Sequence, residues 1–166
     1  SEINLITGQG HFIGHREEDH QAFGQSVPTA YIHGAAMLVT RNVLDQTGFM
    51  DDDYFLYYEE LDWCARARRD GFSIWYVAES EVWHKESMST GKESPLKVYF
   101  QTRNRLKFLQ KNGQLWQQII GLGFILGLAI PKNVLMYSLK KRGDLAKASL
   151  MGVLDYFLNR NAFAPN

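Results

Sequence analysis

Tyr57-Tyr58-Glu59-Glu60-Leu61-Asp62-Trp63-Cys64 is the stretch that decides the fold, because three carboxylates fall within four residues where an aromatic run gives way to a helical pattern. Leu61, Cys64 and Ala65 recur at i, i+3 and i+4, and Gly71 stands just past the last periodic residue. Acids crowd the first turn of this helix, and Arg66, Arg68 and Arg69 crowd its last, as the helix dipole favours. That placement alone would explain the acids as electrostatic caps. A second feature gives them another reading: Trp83-His84 follows 24 residues after Glu60, beyond a helix, a glycine and a strand. Carboxylates facing a histidine suit acid/base work beside a metal.

Outward from this centre, Phe72–Val77 is rich in aromatic and β-branched residues and reads as a strand, which the segment to His84 continues or pairs with. On the N-terminal side, Tyr31–Thr40 (YIHGAAMLVT) is nearly continuous in apolar residues and is expected as a buried strand. Its Gly34-Ala35-Ala36 centre leaves room for another group to approach. Arg41–Thr47 is predicted as a short helix with Thr40 as N-cap and Gly48 as its stop. Residues 1–30, with Gly8, Gly10, Gly14 and Gly24, read as loop.

The second half changes character. Ser94-Pro95 is an N-cap followed by proline at the first helical position, and the helix is expected to run to Gly113. Ile119–Pro131 contains no polar side chain, and Pro131 is expected to kink any extension of it. Two readings stand for this segment: an internal helical hairpin, or a surface lying on a membrane together with Leu150–Leu158, with Lys132, Lys140, Lys141 and Arg142 at the headgroups. Asp144 is read as the cap of a last helix whose apolar face is Leu150, Met151, Leu154, Phe157 and Leu158.

Bulk composition narrows the function classes. The chain has 166 residues, enough for a real core, with 18 basic and 18 acidic side chains. Zero formal charge gives no electrostatic case for a nucleic-acid partner. The single cysteine, Cys64, excludes an internal disulfide framework and a cysteine-rich zinc site, and reads as a small buried residue. His11, His15 and His20 lie among glycines that break the helix an i, i+4 zinc pair would need, so they read as surface loop.

The motif Phe55-Leu56-Tyr57-Tyr58-Glu59-Glu60-Leu61-Asp62, followed by Arg66-Ala67-Arg68-Arg69-Asp70-Gly71-Phe72 and Val82-Trp83-His84, resembles glycosyltransferase family 2, in its rhamnosyltransferase-like branch. The likeness covers about residues 30–113 well and the C-terminal helices more loosely. It implies an α/β chain, the C-terminal, acceptor-side part of a GT-A fold over residues 1–113, and an apolar helical tail over residues 114–166. It also implies a segment of a longer enzyme, since family members place the nucleotide-binding strands and an Asp-x-Asp motif before this point.

What the resemblance implies chemically is inverting transfer from a nucleotide-diphosphate sugar to a saccharide or lipid-linked acceptor. Such an enzyme would work in bacterial cell-surface polysaccharide synthesis, in the cytoplasm or on the inner face of the plasma membrane. The base falls on Glu60, where the family more often has Asp, a departure that lengthens the arm by one methylene. Glu59 and Asp62 match the other acids, with acceptor-positioning or base-orienting roles; Gly34 and Ala35 fall on the acceptor side. His84 matches a metal-binding histidine, for Mn²⁺ or Mg²⁺. Asp51-x-Asp53 imitates the nucleotide-binding signature but follows a helix stop rather than a strand, so Asp51 is assigned to a turn or to the acceptor side. Arg103-Asn104 matches a recurrent Arg-Asn pair, and an exposed helix face would explain it equally well. Two other readings stay open: a non-catalytic glycan-binding remnant of the same fold, and a metal-dependent hydrolase using the same acids and histidine.

Overall fold

The computed structural model describes residues 1–15, 17, 23–84 and 93–160; His20 and most of the charged patch around it lie outside them. The elements in chain order are β1 (Glu2–Asn4), β2 (Gln9–His11), β3 (Val27–Thr29), α1 (Arg41–Thr47), α2 (Glu59–Arg69), β4 (Ile74–Tyr76), α3 (Pro95–Asn112), α4 (Leu115–Phe124), α5 (Ile130–Leu139) and α6 (Gly143–Phe157). Among the described residues the strands form only two antiparallel pairs, β1 with β2 and β3 with β4. The chain is thus mixed helix and sheet, without a central parallel sheet of its own in the described part.

The N-terminal region is not the loop expected from its glycines. Asn4 Oδ1 accepts from the main-chain N–H groups of Ile6 and Thr7, both at 2.9 Å, and Gly8 closes the β1–β2 turn with φ +65°. These side-chain and left-handed devices are what a tight turn requires. Gly10 is needed for a different reason: a β-carbon there would sit 2.6 Å from the Tyr31 ring.

Tyr31–Thr40 corrects the expected buried strand. Tyr31 is buried, but His33 through Ala36 are exposed and Gly34–Ala36 form one 3₁₀ turn. A continuous apolar run matches a strand or a short irregular segment equally well, and here the half-buried Ile32, Met37 and Val39 pack on the first core from an extended path. Helix α1 forms as expected, with Thr40 as N-cap and Gly48 ending it at φ +78°. The strand expected over 72–77 shortens to β4, which pairs with β3 rather than with the segment leading to His84.

Three cores hold the chain together. Tyr31, Tyr54, Leu61, Trp63, Cys64, Ala67 and Phe108 form the first, around α2. Leu106, Leu109, Ile125 and Ile130 form the second, and Tyr99, Phe100 and Ala148 the third. Helix α3 contributes to all three, so it belongs as much to the helices after residue 113 as to the part before it. Its start is as the sequence predicts: Ser94 Oγ accepts from Lys97 N–H at 3.2 Å and Pro95 stands at the first helical position.

Two expectations for the tail are corrected. The apolar helix is longer than the segment Ile119–Pro131, which by itself would be too short to span a bilayer: α4, a π-helical turn over Ile125–Ala129 and α5 form one helical run, Leu115–Leu139, of 25 residues with Pro131 inside it. A wide π turn just before the proline accommodates its ring and its missing N–H. At about 1.5 Å per residue this run is long and apolar enough to cross a membrane by length and composition. In α6, Arg142 is the N-cap and Asp144 sits in the first turn, paired with Arg142 at 2.8 Å. The packed face of α6 is the small-residue one, Leu145, Ala148, Ser149, Gly152 and Asp155. At Gly152 a β-carbon would come 2.7 Å from Tyr99 O, so the close crossing on α3 demands glycine. Leu150, Leu154, Phe157 and Leu158, expected as its apolar face, are exposed.

Candidate functional site

Phe55, Tyr57 and Tyr58 all have positive φ, at 59°, 64° and 76°, immediately before the first residue of α2. Left-handed backbone costs a non-glycine residue roughly 1–2 kcal/mol, so three within four residues must be held by their surroundings. They are held from α3. Asn104, fully buried, donates from Nδ2 to the carbonyls of Tyr54 and Leu56 at 2.8 Å and of Tyr57 at 2.9 Å. Arg103 donates to Asp53 O at 3.0 Å and to Asn104 Oδ1 at 2.9 Å, and Tyr58 Oη donates to Gly8 O at 2.9 Å. The Arg103-Asn104 pair is therefore not an exposed helix face. It forms the floor beneath the acidic motif.

The turn delivers Glu59 and Glu60 to the first turn of α2, both half-buried. Glu60 lies against Gly34: a β-carbon built on that glycine would meet the Glu60 Cβ at 3.6 Å, an ordinary contact. Desolvation pushes the Glu60 carboxyl above the usual glutamate range, against the opposing pull of its own backbone N–H. Glu59 is raised by burial first and by Glu60 as well, while its backbone N–H and the nearby His33 imidazole oppose the rise. Its Oε2 is buried without a hydrogen-bond partner. A buried carboxylate oxygen without a partner, as on Glu59, can accept a proton or a hydrogen bond from a ligand hydroxyl.

His33 is the residue that motif reading missed. Its Nδ1 accepts from Ala35 N–H at 3.2 Å, which in the neutral ring leaves the proton on Nε2. Its ring stacks on Phe12 with centroids 5.5 Å apart, and its centroid lies 5.4 Å from that of His84. The 3₁₀ turn that carries Gly34 and Ala35 thus also brings a second imidazole to the histidine expected as a metal ligand. Only the closeness of His33 to Gly34 in sequence could have drawn attention to it. Among the described residues no three His, Cys, Asp or Glu side chains form a metal-holding group. The orphaned Glu59 oxygen and the exposed His84 imidazole are donors that a divalent cation accepts; His33, with its Nδ1 lone pair taken by Ala35 N–H and its proton on Nε2, is not one.

Asp62 is corrected: it does not stand with Glu59 and Glu60. It is fully buried, with Oδ1 accepting from Tyr54 Oη at 3.1 Å and Asn112 Nδ2 at 2.8 Å, and Oδ2 from Arg66 Nε at 2.8 Å and Lys111 Nζ at 3.1 Å. Burial would raise its pKa, but the hydrogen bonds from Asn112, Arg66 and Lys111 together hold it below the usual aspartate range. With four donors on two oxygens it is a structural charge. Asp51 is the turn residue of its two expected roles: it caps the 3₁₀ turn Asp52–Tyr54, accepting from Asp53 N–H, and pairs with Lys111 at 2.8 Å. His11 and His15 are exposed in the N-terminal hairpin region, as expected of a surface. Cys64 is buried, its thiol pushed up by desolvation to about 11.

Comparison with known proteins gives this geometry a family. The chain is 35% identical over 86 residues to the low-salt glycan biosynthesis hexosyltransferase Agl10 of Haloferax volcanii, covering 51% of this chain and 27% of that protein. It is 26% identical over 125 residues to the N-acetylglucosaminyl-diphospho-decaprenol L-rhamnosyltransferase of Mycobacterium tuberculosis H37Rv, covering 75% and 41%. To the dTDP-rhamnosyl transferase RfbF of Shigella flexneri it is 25% identical over 108 residues, covering 60% and 36%. The chain therefore spans less than half the length of these curated relatives. No solved structure matches it significantly. The model of the family described as "Glycosyltransferase like family 2" matches residues 6–107, a span that takes in the acidic motif, the turn before it and both histidines. With more than half of its length so matched, this chain belongs to the glycosyltransferase-like family 2.

Proposed function

We propose that this chain is the acceptor-side part of a GT-A glycosyltransferase and that Glu60 is its general base. The observation that carries this reading is the half-buried Glu60 carboxyl, raised in pKa and set against the bare surface of Gly34. A sugar hydroxyl is a weak nucleophile at neutral pH. As its oxygen attacks the anomeric carbon of the donor, the hydroxyl proton passes to Glu60, the bond to the nucleotide diphosphate breaks on the opposite side, and the configuration inverts. Glu59 orients the acceptor hydroxyl, and Gly34 and Ala35 give the acceptor its approach. A divalent cation, Mn²⁺ or Mg²⁺, supplies Lewis-acid stabilisation of the departing diphosphate when bound, and His84 would be the ligand this chain contributes. The relatives' names support a nucleotide-activated hexose such as rhamnose as donor and a saccharide on a lipid carrier as acceptor.

The same reading places the chain at a lipid surface. Leu115, Trp116, Ile119, Ile120, Leu128, Leu135 and Leu139 are exposed along one helical run, and Lys132, Lys140 and Lys141 are exposed beside them. Gly121, Ile125 and Ile130 hold the opposite side of the run to the rest of the chain. At Gly121 a β-carbon would sit 2.4 Å from Ile6 O and from the Leu109 side chain. A helix attached to its domain in this way suits lying in the interface, with basic side chains at anionic headgroups, better than crossing the bilayer. Such a surface would bring Glu60 to a lipid-carried acceptor on the cytoplasmic side.

The deciding experiment is transfer by the full-length protein and its Glu60→Gln variant. The expected result is a turnover loss on the order of a hundredfold with nucleotide binding retained. Undiminished turnover in that variant overturns the assignment.

A further inference from the structure

The acids are presented by a turn that leans on α3 as well as on its own bonds from Phe55 N–H to Asp52 O and from Leu56 N–H to Tyr54 O. Phe55, Tyr57 and Tyr58 carry full side chains in left-handed backbone, where glycine would be the ordinary choice. The carbonyls of Tyr54, Leu56 and Tyr57 point at a single side chain, the Asn104 amide, which is wholly buried in α3. A primary amide nitrogen has two N–H groups, and here three carbonyl oxygens at 2.8–2.9 Å share them. Among side chains of this size only Asn offers both donors; Asp would set a carboxylate against three carbonyls. The amide's own orientation is fixed, because Arg103 Nη1 donates to its oxygen. Arg103 Nε in turn donates to Arg160 O at 2.8 Å, beyond the end of α6.

We infer that Asn104 is a positioning residue for the reaction: it locks the left-handed turn 55–58 and so sets where Glu59 and Glu60 meet the acceptor hydroxyl. This rests on the reading of Glu60 as general base. The amide touches no reacting atom. It acts through main-chain carbonyls three to six residues ahead of Glu60, the distance over which a relaxed turn would shift the start of α2. Arg103 is the second member of the device, since without it the Asn104 amide could rotate and present its oxygen to the carbonyls. The Arg103-Asn104 pair on α3 thereby gains a function that its distance in sequence from the acids conceals.

The test is a mutant cycle in the full-length protein, with Asn104→Ala, Glu60→Gln and the double variant, each checked for folding by circular dichroism and thermal melting. Asn104→Ala should lower kcat on the order of a hundredfold while leaving KM for the nucleotide sugar within about twofold. The double variant should be no slower than Glu60→Gln alone, because a misplaced base and an absent base fail the same step. Asn104→Ser, which keeps one donor and perturbs packing less, is carried through the same cycle and should show a smaller kcat loss of the same kind. It supplies the answer if the alanine variant does not fold.

Losses that multiply in the double variant would overturn the proposal, as would wild-type kcat in a folded Asn104 variant. If Glu60→Gln itself retained full turnover, the base assignment would fail first. An Asn104→Ala defect confined to kcat would then tie the turn to another group in the site.

Discussion

The imidazole rings of His33 and His84 lie with centroids 5.4 Å apart, although 51 residues separate them in the chain. With its Nδ1 lone pair taken by Ala35 N–H, His33 stands beside His84 as a hydrogen-bond donor from Nε2. His84→Ala in the full-length protein should weaken activation by Mn²⁺ or Mg²⁺, and His33→Ala should do so to a lesser degree. Titrating activity against metal concentration measures both. Identical metal curves for wild type and His84→Ala would remove the ligand role.

The raised Glu60 carboxyl gives a pH prediction. Burial favours its neutral form, so the folded pKa lies above the ordinary value of 4.5, and the base is lost to protonation as pH falls through that raised value. The acid limb of kcat/KM should therefore stand above 4.5 and disappear in Glu60→Gln. An acid limb that persists unchanged in the variant would belong to another group.

Asp62 carries the opposite sign. Its folded pKa lies below the ordinary 3.8, so it contributes stability above that value, and the contribution is lost as pH falls through the folded pKa. Asp62→Ala leaves Arg66, Lys111, Tyr54 and Asn112 without their shared acceptor. Breaking a buried pair in this way costs about 3–5 kcal/mol, here toward the lower end because Lys111 reaches solvent. Urea denaturation should show that loss at neutral pH and a narrower gap between variant and wild type in strong acid.

The exposed stripe gives a membrane prediction. Leu135 and Leu139 are 60% and 75% exposed, so replacing both with Glu should leave folding nearly untouched. Flotation with anionic vesicles should then show the doubly substituted full-length protein leaving the lipid fraction. Equal partitioning of both proteins would count against the lipid-facing role.

The helices were legible in the sequence wherever local chemistry sets their ends. Gly48, Ser94-Pro95 and Gly113 mark boundaries through backbone conformation and capping: α1 ends, and α3 begins and ends, where those residues indicate. The acids and the family were legible too, since the motif lies within one short span. What escaped is what depends on partners distant in sequence. Asp62 shares a turn of α2 with Glu59, yet Lys111 and Asn112 from α3 remove it from the site. His33 becomes notable only through His84, and Asn104 only through carbonyls some 50 residues earlier. On α6 hydrophobic size marks Leu150 and Leu154 as the apolar face, while the close crossing at Gly152 selects small residues for the packed one.

The π turn at Ile125–Ala129 acts as a phase adjuster between two halves of a long helix. A π turn winds one residue more into nearly the same rotation, so Ile125–Ala129 keep α5 close to the bearing that a regular helix one residue shorter would give it. Deleting one residue within that turn should restore regular winding and leave Ile130 packed with Leu106 and Leu109. The same deletion in the regular winding of α4 should instead rotate everything after it by about 100°.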